Sequence, residues 1–174
     1  MTRNIYLRIA LLFGLLGAAL ILTYFLSLYA TGTNPLPEMN RLDLLIILLC
    51  VLFAMGYFRD RLNRGVLHFW QGLVLGLPVV LLSALVSSLV IYGLTRWIPD
   101  LFPEYLNHMK KLIEADYRSG RIKDALYYRN LLKSLPGITP FSKALDIFLK
   151  NFFICFFATG LIAMIMRRHP RPDR

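Results

Sequence analysis

FWQGLVLGLPVVLLSALVSSLVIYGLT, residues 69–95, runs for twenty-seven residues without one charged side chain. As a helix rising 1.5 Å per residue it is about 40 Å long, whereas a bilayer's hydrocarbon core, about 30 Å thick, needs only about 20 apolar residues. Ile9 to Tyr29, Leu44 to Phe58 and Phe152 to Met166 are charge-free in the same way. The chain is 57% hydrophobic and 17% charged, against about 45–50% and about 25% in soluble domains. The reading is an all-α, polytopic membrane protein of one domain, residues 1–174. Its four transmembrane helices lie at about 7–29, 42–58, 67–95 and 144–167. The second is the shortest, with an apolar run from Leu42 to Phe58 that covers about 25 Å. The first is longer than the roughly 7–15 residues of a signal-peptide core, and bulky Leu28 precedes the nearest cleavage candidate at Ala30. It reads as a retained anchor.

The formal net charge is +10. In a soluble protein that excess would suggest nucleic acid, but here position explains it. Arg3 and Arg8, then Arg59, Arg61 and Arg64, then Arg167, Arg168, Arg171 and Arg174 occupy three short flanks, and short positive flanks mark the cytoplasmic side. The loop between the first two spans carries only Arg41. The expectation is a cytoplasmic N-terminus, four crossings and a cytoplasmic tail, 168–174. The partners expected are the lipid bilayer and either a second copy or another membrane protein, with no nucleic acid.

That parity puts residues 100–138 outside the cytoplasm. They read as an amphipathic αα-hairpin between spans three and four. Pro103 suits a first helical position, where its missing N–H costs nothing. Leu106, Met109, Leu112, Ile113 and Tyr117 recur at helical spacing, and Ser119-Gly120 stops the helix. A second stripe, Ile122, Ala125, Leu126, Arg129, Leu132 and Leu135, with Arg129 its one polar member, ends at Pro136-Gly137. Lys110, Lys111, Glu114, Asp116, Arg121, Lys123 and Asp124 form the hydrated surface. Tyr127, Tyr128, Trp97 and Tyr105 suit the headgroup level. Thr139-Pro140 then reads as N-cap and first residue of a helix continuing to Arg168. Lys143, Asp146 and Lys150 share one face there, an ion-pair ladder worth a few tenths of a kcal/mol, and Lys150 can snorkel.

Small residues recur every four positions: Ala10, Gly14 and Ala18 in span one; Gly72 and Gly76, then Ser83 and Ser87, in span three; Cys155, Thr159 and Ala163 in span four. In lipid, helices associate largely through close approach at such residues, so these read as packing positions, inside one bundle or against a second subunit. Pro78 interrupts the backbone hydrogen bonding of span three. No Asp, Glu, Lys, Arg or His falls in the core of a span by this reading, which weighs against ion pumps and proton-coupled carriers. Cys50 and Cys155 read as buried thiols. His68, His108 and His169 are scattered, no metal-ligand spacing occurs, and no nucleophile stands with a base. No cofactor, metal or catalytic residue is expected, and the protein reads as a non-enzyme.

The third span, the exit RWIPDLFPEYL (96–106), the hairpin and the return ITPFSKALDIFLKNFFICFFATGLIAMIMRR (138–168) resemble a bacterial family of small four-span membrane proteins, domain of unknown function family 4199. The features carrying this are an aromatic before Gly72 and Gly76, the Pro99-Asp100 pair and Gly160. The resemblance implies a bacterial inner membrane and this topology. The residues themselves, and not the resemblance, give two functions as expectations: an anchoring or accessory subunit that presents the hairpin, and a passive channel or carrier lined by Ser83, Ser87, Ser88 and Tyr92.

Overall fold

The computed structural model describes the backbone of residues 2–167 and the side chains of 5–36 and 42–167. The expected tail, 168–174, and the side chains of Arg3 and Arg41 lie outside the described residues. Six α-helices follow in order: α1 (Thr2–Ala30), α2 (Pro35–Tyr57), α3 (Phe69–Trp97), α4 (Leu101–Arg118), α5 (Ala125–Ser134) and α6 (Pro140–Met166). Among the described residues there is no strand. Four helices among the described residues are long and apolar enough to cross a membrane: α1, α2 with its extension, α3 and α6.

These four form a diamond. The central pair, α2 and α3, touch each other and both flanking helices, and α1 and α6 lie on opposite sides of that pair. At one end the Tyr6 ring stands 4.9 Å from Phe58, and Gly72 abuts Ala163. This terminal face gathers the start of α1, the α2–α3 connection and the end of α6. At the opposite, hairpin face, the amide of Asn34 donates to the Leu101 carbonyl at 2.9 Å, tying the α1–α2 turn to α4. The core between them is dry and tight: Phe25, Ile47, Val51, Leu75 and Val79 have no exposed surface.

Several boundaries differ from the sequence reading. The second span is no longer marginal. Asn34 accepts a hydrogen bond from the Leu36 amide, Pro35 takes the first turn, and Leu36 is fully buried, so α2 begins seven residues before Leu42. At its far end it widens into a π-helical turn, Phe58–Leu62, before a reversal in which Arg64 and Gly65 take positive φ. The α4 helix starts at Leu101, ahead of Pro103, because burial of Leu101 and Phe102 against the bundle draws the chain in. Pro103 is tolerated there because the first four helical N–H groups have no intrahelical acceptor. Gly120 closes α4 at φ 74°. The α5 helix starts at Ala125, three residues after Ile122, where Asp124 accepts from the Leu126 amide. Thr139 and Ser142 cap α6 reciprocally, and the helix stops at Met166 rather than Arg168. Pro78 lies inside an unbroken α3.

Candidate functional site

Along α2 the buried residues include Asp43, Ile47, Cys50, Val51, Ala54 and Met55, continued by Phe58 in the π turn, spaced so that Asp43 continues the inward stripe of a helix. Along α6 they include, after Ala144, the series Ile147, Asn151, Cys155, Thr159 and Ala163, each four residues from the next. The two stripes face one another and bring two polar side chains together inside the bundle. Asp43 and Asn151 both have 0% exposure. The Asn151 amide nitrogen donates to Asp43 Oδ2 at 2.9 Å, and Lys150 Nζ stands 3.9 Å from the same oxygen. Cys155 Sγ lies 4.0 Å from the Leu44 carbonyl just below. Asn151 Oδ1 is buried and has no donor among the described residues.

Depth gives this cluster its significance. Sixteen residues separate Asp43 from Arg59, and sixteen separate Asn151 from Arg167, about 24 Å of helix in each case. Asp43 falls within the apolar span Leu42–Leu62 and Asn151 within Pro140–Met166. The charge-free runs thus leave out one ionisable group that the bundle buries completely: Asp43, near the hairpin end of α2. Charge-free run lengths hid it because Asp43 sits at the edge of its run, while the four-residue spacing through Ile47 and Val51 would have revealed it. The ladder on α6 is also only half present. Lys143 pairs with Asp146 at 3.5 Å, but Lys150 turns to Asp43 on the neighbouring helix.

The small residues are spent inside the bundle. A Cβ on Gly14 would lie 2.8 Å from Leu82 Cβ, on Gly72 2.9 Å from Ala163 Cβ, and on Gly76 2.6 Å from Thr159 Cγ2. Ala10, Ala18, Ser87, Thr159 and Ala163 are buried. Gly17, passed over in the sequence, is as tight, with a Cβ 2.6 Å from Ser83 Oγ. Gly160 has no such neighbour within 4 Å. The hydroxyls are satisfied by helix backbone. Ser83 donates across to the Gly14 carbonyl at 3.0 Å, whereas Ser87 and Ser88 donate back to Ala84 and Leu85 in their own helix.

The hairpin is anchored at its root and open beyond it. Leu101, Phe102 and Tyr105 are buried, and Lys143 Nζ sits 5.2 Å from the Tyr105 ring centroid. Tyr105 thus packs against the bundle. Tyr117 and Tyr128 stack at 4.2 Å, joining the two helices. Asp116 pairs with Arg121 at 3.1 Å across the turn, and Asp124 caps α5. Lys110, Lys111, Arg121, Lys123 and Asp124 are exposed, with Glu114 and Asp116 half-buried. No residue of α5 is buried; Leu126 is 69% exposed.

Four membrane-length helices in an all-helical chain make this a multi-pass membrane protein. The family described as Protein of unknown function (DUF4199) matches residues 8–168, and the chain belongs to that family. No curated protein and no solved structure matches it.

Proposed function

We propose that the protein is a non-enzymatic membrane anchor or accessory subunit whose four-helix bundle presents the α4–α5 hairpin to a membrane-protein partner or a second copy. It would sit in a bacterial cytoplasmic membrane with both termini in the cytoplasm and the hairpin outside. The observation that carries this is the unspent surface of the hairpin. Its root is fixed in the bundle by Asn34 and Tyr105, while Leu112, Tyr117, Leu126 and Tyr127 remain exposed beside the charged positions. Amphipathic helices with an open apolar face bind a surface of complementary character. Arg59, Arg61 and Arg64 at the terminal face support the orientation.

A photo-crosslinking side chain at Leu126, with another at lipid-exposed Leu15, tests the reading in native membranes. Adducts with a polypeptide are expected from Leu126 and lipid adducts alone from Leu15. Lipid adducts alone from both positions, with a lone monomer in mild detergent, would refute it.

A second reading, passage of a small solute, gains from Asp43, since an ionisable group within the hydrocarbon is a common mark of a pathway. Against it stand the Lys150 partner and the serines already bonded to carbonyls.

A further inference from the structure

Between α3 and α6, toward the hairpin face, a groove of about 240 Å³ opens sideways from the bundle. Leu85, Leu89, Leu145 and Phe148 form its walls, Ala144 its floor, and Tyr92 with Phe141 its upper end. The one hydroxyl at its lower end, on Ser88, is occupied by the Leu85 carbonyl at 2.9 Å, so the interior offers nothing to a polar solute. The upper end is different. Tyr92 meets Phe141 edge-on at 6.0 Å, and the Arg96 guanidinium folds over Tyr92, 5.8 Å from the ring centroid and 3.3 Å from its hydroxyl. Arg96 is exposed and adjoins Trp97, which is 87% exposed, the placement of an interfacial tryptophan.

We propose that this groove is a binding site for one anionic glycerophospholipid, with an acyl chain along Leu85–Tyr92 and the phosphate at Arg96. The groove lies in the span, so lipid chains are the medium that meets it, and a single cation stands at headgroup height directly above an apolar slot. Charge decides against a helix from a second copy. Two copies in one membrane share an orientation, so a two-fold contact across the groove would set Arg96 against Arg96 at one height.

The test uses the full chain in mild detergent, with lipid binding read by native mass spectrometry and by the shift in melting temperature. Dioleoyl phosphatidylglycerol, dioleoyl phosphatidylcholine and water-soluble glycerol phosphate are titrated in parallel. One basic side chain near an anionic headgroup is expected to favour phosphatidylglycerol about fivefold. Arg96→Gln should abolish that preference, Arg96→Lys should keep most of it, and Leu89→Trp, which fills the slot from its lipid-exposed side, should weaken both lipids. Glycerol phosphate alone should neither bind nor compete. Equal affinity for the two lipids, a preference that survives Arg96→Gln, full binding by Leu89→Trp, competition by glycerol phosphate, or dimers in place of lipid adducts would each overturn the proposal.

Discussion

Removing either member of the Asp43–Lys150 pair costs the other a counter-charge, but the two losses are not equivalent. Asp43 is fully buried on a two-bond side chain, and Lys150 is the one cation within 4 Å of it among the described residues. Lys150→Met therefore strands a carboxylate that cannot reach water. Breaking a buried pair from one side costs about 3–5 kcal/mol, and the remaining Asn151 hydrogen bond puts this site near the lower end, about 3 kcal/mol. Asp43→Asn takes one counter-charge from a lysine whose side chain is already 25% exposed and whose four-carbon stem can carry the ammonium to the headgroups. The cost should be that of one altered hydrogen bond, about 1 kcal/mol. The double variant has no charge to strand and should also lose only about 1 kcal/mol, so about 3 kcal/mol of the summed single losses is recovered. SDS titration of the protein in mixed micelles, followed by circular dichroism, measures all four corners of the cycle. Single variants of equal cost whose effects simply add would refute a buried, coupled pair.

Other substitutions probe the packing and the caps. Gly76→Ala puts a methyl 2.6 Å from Thr159 and 2.7 Å from Met55 and should cost about 1–3 kcal/mol; Gly160→Ala, with open space around it, should be neutral or gain up to about 1 kcal/mol, both read by the same titration. In a Cys50→Ala, Cys155→Ala background, Ser83→Cys and Ser87→Cys should resist aqueous thiol reagents in intact membranes, because both positions are buried. Rapid labelling would revive the passage reading. Thr139→Ala removes the N-cap that accepts from Ser142 at 3.1 Å and should cost about 1 kcal/mol.

Much of the fold was legible because in lipid the length of a charge-free run is itself the signal for a span. Polar residues at a helix end carry no such signal. PLPEMNR, residues 35–41, reads as a loop by composition, yet Asn34 and Pro35 begin a helix there and Leu36 seals it into the core. Pro103 pointed to a helix start two residues late, since the burial of Leu101 and Phe102 is a tertiary effect. The same limit concealed the polar cluster. Counting residues along α2 places Asp43 at the margin, but only its angular position, in line with Ile47 and Val51, shows that it faces inward. Its partner lies 108 residues away, a pairing that no local pattern encodes. The glycine spacing showed which residues allow close approach but not the direction they face; the structure turns Gly72 and Gly76 toward α6 and Gly14 toward α3.

Four crossings would hold the α2–α3 turn and the hairpin on opposite faces of one membrane. Periplasm-dependent alkaline phosphatase fused after Ser119 should be active, and the same reporter fused after Asn63 should be silent. Activity at Asn63 together with silence at Ser119 would invert the proposed orientation, and the same response at both sites would contradict the four-helix crossing itself.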